Sequence, residues 1–221
     1  MQNMVSMQDT PPTSVMVPIR SLGPRHRDRI AAHLLALEPD DRYLRFGYGA
    51  SDEQIARYVA GLDFERDEIF GVYNRKLELI AMAHLAFGSE SQADASAEFG
   101  VSVLAKVRGR GYGTRLFDRA VMHARNEGVD LLFIQALSEN TAMLKIARNA
   151  GARLERLGSE TEAYLRLPPA TLDSRLSEMA LEQIAQTDYR LKVQARKFWN
   201  LVSDVQEVRQ GVRDARHRSG G

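Results

Sequence analysis

The chain has 221 residues, a formal net charge of +1, 44% hydrophobic and 27% charged residues, and no cysteine. That is globular composition, enough for one domain plus an appendage. The near-neutral balance supplies no overall field to favour nucleic acid or a membrane surface. Disulfides, thiolate metal sites and a cysteine nucleophile are excluded, and no metal site is expected. No apolar run reaches the roughly 20 residues of a membrane span. The first residues show no basic-then-apolar leader pattern, so a cytoplasmic location is expected.

Residues 1–14 are polar, with two prolines and scattered methionines, and read as an unstructured lead-in. Residues 15–19 suit a first strand, which Pro18 places at a sheet edge. Ile30, Leu34, Leu35 and Leu37 mark a helix over 24–37, ended by Glu38-Pro39-Asp40-Asp41. Arg42-Tyr43-Leu44-Arg45-Phe46 follows and by itself suits packing, with rings inside and arginine heads outside. Ser51 and Gln54 form a capping box ahead of the stripe Ile55, Tyr58, Val59 and Leu62.

Strands are expected over 68–73 and 77–87 with a turn at Asn74-Arg75, then a polar connection over 88–94 and a strand over 95–105. Leu116, Phe117, Ala120, Val121 and Ala124 give one face of a helix over 113–127. Residues 130–137 are apolar apart from Asp130 and Gln135, as in a buried parallel strand. A helix over 140–149 ends at Gly151. Strands over 152–157 and 161–167 close the sheet.

Pro168-Pro169 marks a boundary. Beyond it Leu172, Leu176, Met179, Ala180, Ile184, Leu191, Ala195, Phe198, Val202 and Val205 lie near helical spacing, giving one or two helices without a sustained heptad. Such a segment either folds back on the domain or docks a second copy or a partner protein. Its basic end, Arg209, Arg213, Arg216 and Arg218, is interleaved with Glu207 and Asp214, which suits a solvated face.

The chemistry concentrates in Val107-Arg108-Gly109-Arg110-Gly111-Tyr112-Gly113-Thr114-Arg115-Leu116, where a strand turns into a helix. Glycines let successive amides turn inward, and a helix start adds uncapped donors, so the junction forms a nest for phosphate oxygens. The glycine spacing is neither G-x-G-x-x-G nor a P-loop.

Arg-x-x-Gly-x-Gly resembles motif A of the GNAT family of N-acetyltransferases, a likeness covering roughly residues 15–167. It implies an α/β (α+β) fold, a mixed and mostly antiparallel sheet flanked by helices, with residues 168–221 as a helical C-terminal extension. It also implies acetyl-CoA as co-substrate. Arg108, Gly109, Arg110, Gly111, Tyr112, Gly113 and Thr114 would hold the diphosphate, Val101 and Val103 the pantetheine arm, and Asn140 a further cofactor contact. Glu98 matches the general-base glutamate of members that acetylate protein lysines. It lies five residues before Val103, roughly 17 Å by strand rise.

The segment around Tyr43 and Arg45 resembles one in bacterial protein-lysine acetyltransferase domains, where it would border the acceptor channel. His84, on the preceding strand, is a second candidate base. Ala147 departs from the family, which often has a tyrosine there as general acid. The expected function is acetyl transfer to an amine, a protein lysine or a small molecule such as a polyamine or antibiotic, with a non-catalytic acyl-CoA sensor as the alternative.

Overall fold

A computed structural model describes residues 17–88 and 95–218, the side chains of 197–218 excepted. The lead-in expected over 1–14 and residues 15–16 of the expected first strand lie outside the described residues, 17–19 form no strand, and β1 is Arg20–Ser21, paired antiparallel with β2, Glu68–Tyr73. Three helices lie between them: α1, Arg27–Leu35; α2, Pro39–Phe46; and α3, Asp52–Ala60, which starts at the Ser51–Gln54 capping box. The helix α2 corrects the sequence reading. Pro39 sits in the first turn, where its missing N–H costs nothing, and Asp40 and Asp41 lie at the positive helix end. These residues start a helix where a stop was expected, and they make Tyr43 and Arg45 helical.

The sheet continues with β3, Leu79–Phe87, and β4, Ser96–Val103; most of the connection expected over 88–94 lies outside the described residues. Then come α4, Tyr112–Asn126, β5, Leu131–Leu137, α5, Thr141–Asn149, β6, Arg153–Leu157, and β7, Glu160–Arg166. The strand order is β1-β2-β3-β4-β5-β7-β6. Every pairing is antiparallel except β4 with β5. The strand β5 is a second correction. It runs parallel to β4 only over Ser96–Glu98 with Leu131–Phe133, and it pairs antiparallel with β7 along its whole length. Its burial alternates, with Leu132 and Ile134 inward and Gln135 outward.

The core lies between the sheet and α1, α3 and α4, with Phe99 edge-on to Phe117 at 5.1 Å. A buried histidine ties these layers. His33 of α1 donates from Nδ1 to the Leu79 carbonyl at 2.9 Å, and its Nε2 accepts from the Ser102 hydroxyl at 2.8 Å. Beyond the Pro168-Pro169 boundary the chain forms one helix, α6, Leu172–Arg218. Its first half folds back on α4. Glu178 accepts from His123 Nδ1 at 2.6 Å, from Asn126 at 2.5 Å and from Arg119. Burial would raise the Glu178 pKa, but these donors outweigh it and hold the carboxyl at about 2.

Burial keeps His33 neutral, with its pKa pushed from 6.5 to about 4. As pH falls below 6.5 the unfolded chain takes up a proton that folded His33 refuses, so stability is full above 6.5 and is lost on the way down to about 4. Urea titrations between pH 6.5 and 4.5 should show this decline. His33→Asn should reduce the slope by up to about 1.4 kcal/mol per pH unit while lowering stability at pH 7. A slope indifferent to His33 would contradict the assignment.

Candidate active site

The strand β4 ends at Val103, and α4 begins at Tyr112. Between them Gly109 (φ +74°) and Gly111 (φ +75°) take left-handed conformations that cost an L side chain roughly 1–2 kcal/mol each. The consequence is a run of free amides. Among the described residues, the N–H groups of Gly109, Arg110, Gly111, Tyr112, Gly113 and Thr114 donate to no carbonyl, and the first to do so is Arg115, to Gly111 at 3.1 Å. They edge a groove of about 430 Å³ whose lining includes Val101, Val103, Arg108 and Thr114. Beside Gly109 and Gly111 an added Cβ would meet no backbone or core atom. The cradle is therefore open, and it fits an anion with several oxygens.

Past Glu98 the parallel strands part, and the gap between them forms a second cavity of about 220 Å³. Glu98, Gly100, Gln135 and Glu160 line it. Leu44, Arg45, Val101, Asn140 and Met143 line both cavities, so the groove beside the amide cradle and the cavity at Glu98 adjoin. Glu98 is exposed to this space, and Glu160 is held by Gln135 Nε2 at 2.9 Å. Two carboxylates thus face the far end.

Arg45 reaches the channel from α2. A Cβ on Gly100 would stand 2.7 Å from its Nη2 and 2.8 Å from its Cζ, so the guanidinium lies against bare β4 backbone. A chain of side chains fixes it there. Arg45 Nη2 donates to the Tyr58 hydroxyl at 3.0 Å, Tyr58 lies 2.7 Å from His84 Nδ1, and His84 Nε2 lies 3.0 Å from Asp67 Oδ2. A carboxylate can only accept, so Nε2 carries the proton and Tyr58 donates to Nδ1. Burial lowers the His84 pKa, against the opposing pull of Asp67.

The expected site residues thus divide. Glu98, Val101, Val103, Arg108, Gly109, Gly111, Tyr112, Gly113, Thr114, Asn140 and Arg45 share the channel. Arg110 and Tyr43 are exposed and line neither cavity. His84 lies outside both linings with its two ring nitrogens engaged. Asn140 caps α5, accepting from Met143 N at 3.1 Å while its Nδ2 donates to the Leu44 carbonyl at 3.4 Å. Ala147 is buried in the core and outside both linings. Sequence reasoning missed Glu160, Gln135 and the Tyr58–Asp67 chain, and also Asp41, which pairs with Arg108 inside the cradle.

The parallel pair of the sheet thus splits beside a nest of free amides, with a second pocket beyond the split. The Acetyltransferase (GNAT) family model matches residues 30–152. The chain belongs to this family, and it is an N-acetyltransferase moving an acetyl group, for which the family uses acetyl-CoA, to an amine. Solved structures share the fold. The GNAT domain of PAT from S. lividans is 21% identical, with 67% of this chain and 89% of that one covered and a TM-score of 0.58. RimL, a ribosomal alpha-N-protein acetyltransferase in complex with coenzyme A, is 16% identical, with 71% and 97% covered and a TM-score of 0.53. A ribosomal-protein-alanine N-acetyltransferase from Brucella melitensis is 15% identical, with 67% and 99% covered and a TM-score of 0.52. No curated protein matches the chain significantly.

Gly100→Ala tests the placement of Arg45. The clash falls on the flexible end of a side chain, so thermal unfolding should shift by less than about 1 kcal/mol equivalent. Acceptor kcat/KM should drop by up to about 100-fold, as expected for displacement of a positioned group. Unchanged kinetics would remove Arg45 from the acceptor side.

Proposed function

We propose that this chain acetylates lysine side chains of proteins, with Glu98 as general base. The observation that carries the reading is the pair of adjoining cavities, one edged by the free amides of 109–114 and the other lined by the Glu98 carboxylate. Acetyl-CoA, when bound, supplies an activated thioester. The amides of Gly109 to Gly113, with Arg108 and the Thr114 hydroxyl, hold its diphosphate, and Val101 and Val103 run beside the pantetheine arm. Asn140 keeps α5 and α2 on either side of the channel and contacts the arm. The catalytic unit is residues 15–167, and a cytoplasmic location, where acetyl-CoA is available, goes with the reading.

A lysine ammonium has a pKa near about 10.4, so it must lose a proton before it can attack. Glu98 accepts that proton, directly or through water, at the point where the strands part. Glu160 adds a second negative charge that draws the ammonium in. The end pocket, about 220 Å³, lies below the roughly 300 Å³ at which sites begin to enclose drug-sized ligands. That suits an aminoalkyl side chain whose parent remains outside, and it supports a lysine over a bulky antibiotic. Arg45 stands at the junction of the arm and the acceptor, with Tyr58, His84 and Asp67 as positioning residues behind it.

Labelled acetyl-CoA offered with lysine peptides and with polyamines tests the acceptor: peptides should be labelled preferentially, and preferential polyamine labelling would refute the lysine assignment. Glu98→Gln should lower kcat by about 10²–10⁴-fold, leaving the coenzyme A Kd unchanged. Full turnover in that variant at neutral pH would exclude Glu98 as base.

Asp41 bears on cofactor affinity. Its carboxylate is buried, lies in the cradle and engages Arg108, so a diphosphate must draw Arg108 away from it. Asp41→Asn should therefore tighten coenzyme A binding several-fold by calorimetry. Weaker binding would mean that Asp41 serves to aim Arg108.

A further inference from the structure

We propose that the cleft between α1 and α6 is a second ligand site, built for a small molecule carrying at least two phosphoryl negative charges and distinct from the acetyl-CoA channel. The cleft, about 620 Å³, is lined by Arg20, Arg25, Arg29 and Arg190, with Tyr189 and Gln194 among its remaining walls. None of its residues lines either cavity of the catalytic channel, and β2 and β3 separate β1 from β4 in the sheet.

Among the described residues, none of the four arginines forms an ion pair with a carboxylate. The nearby acids of α6 are already engaged: Glu182 by Arg119 and Ser21, Asp188 by Lys192. Arg20 is only 8% exposed, yet its Nε and Nη1 have no hydrogen-bond partner among the described residues. Its guanidinium lies 3.9 Å over the Tyr189 ring, and Arg29 donates to the hydroxyl of the same tyrosine. Packing thus holds two guanidiniums in fixed positions.

Burying a cation without an acceptor is unfavourable. A site that orders such cations without pairing their charges is arranged for an anion that arrives from outside. The neighbouring His26 reports the same field, since burial and then Arg20, with Arg25 and Arg29 adding to them, push its pKa down to about 4. Guanidinium forks match phosphoryl oxygens two at a time. Several in one concave site call for more than one phosphoryl charge, and the Gln194 amide remains for the uncharged part of the ligand.

Calorimetry on the full chain with inorganic pyrophosphate as probe tests this. It is run with and without saturating coenzyme A, on the natural chain and on two variants. Arg25→Ala/Arg190→Ala removes two exposed arginines of the cleft, so folding is preserved. Gly111→Val blocks the amide cradle. The proposal expects one pyrophosphate site that survives coenzyme A and Gly111→Val but weakens at least tenfold in the double variant. The double variant should keep its coenzyme A affinity.

Pyrophosphate binding that is absent, indifferent to the double variant, or abolished by coenzyme A overturns it. Equal binding of succinate overturns the phosphoryl assignment. So does a double-variant-sensitive affinity found only for anionic lipid vesicles or single-stranded RNA. If coenzyme A itself fails to bind, the cradle reading fails, while a pyrophosphate site lost only in the double variant leaves this proposal standing.

Discussion

Six consecutive amides, from Gly109 to Thr114, lack backbone acceptors among the described residues, and the surrounding structure has to make that tolerable. Unpaired donors are acceptable only where water or a ligand can reach them. That condition requires β4 to end before the loop, α4 to start after it, and α5 to stand back far enough to leave a groove. Ile146 of α5 marks the limit of approach: a Cβ on Gly113 would lie 3.2 Å from its Cδ1. Two left-handed glycines aim the loop, and the helix dipole of α4 reinforces the field of the amides.

The same region has a second requirement. A ligand arm can lie beside β4 only if that strand stops sharing its hydrogen bonds with β5, and the pairing ends at Glu98 with Phe133. The sheet stays intact because β5 takes its remaining partners from β7. Glu98 therefore sits at the last closed rung, where backbone rigidity and an open pocket meet. Gly100, two residues on, has no side chain to defend its place, and the Arg45 guanidinium takes it. The Tyr58–His84–Asp67 chain makes this durable: a neutral histidine with a fixed tautomer converts a long, flexible arginine into a positioned group.

How much of this could be read from the sequence follows the range of the interactions. The cradle was legible because glycine spacing, strand end and helix start lie within about ten residues, and backbone conformation at Gly109 and Gly111 is a local property. The capping box at Ser51 was legible for the same reason. The helix α2 was missed because Glu38-Pro39-Asp40-Asp41 carries stop and start signals at once, and only the partners of Asp41 and Arg45 decide between them. The mostly apolar run of β5 concealed its alternation, since Phe133 faces outward against Tyr164 at 5.4 Å and stays half-covered. Glu160 and Asp67 gave no signal, because the sheet brings them to the site from distant parts of the chain.

The extension shows how polar groups can fix a helix that a heptad does not. The docked face of α6 presents Ser174, Glu178 and Glu182 to α4, and Asn126 and Arg119 receive them in a mostly buried seam. Leu172, Leu176 and Met179 remain exposed on other faces. A seam of this kind is unforgiving of register, because sliding α6 by one residue would strand Arg119 and Glu178 without partners. That precision also places Tyr189 against Arg20 and Arg29. Arg29 lies one turn before His33 on α1, and His33 grips Ser102 in the wall of the groove beside the amide cradle. A helix turn thus connects the arginine cleft to β4 through hydrogen bonds at both of its ends.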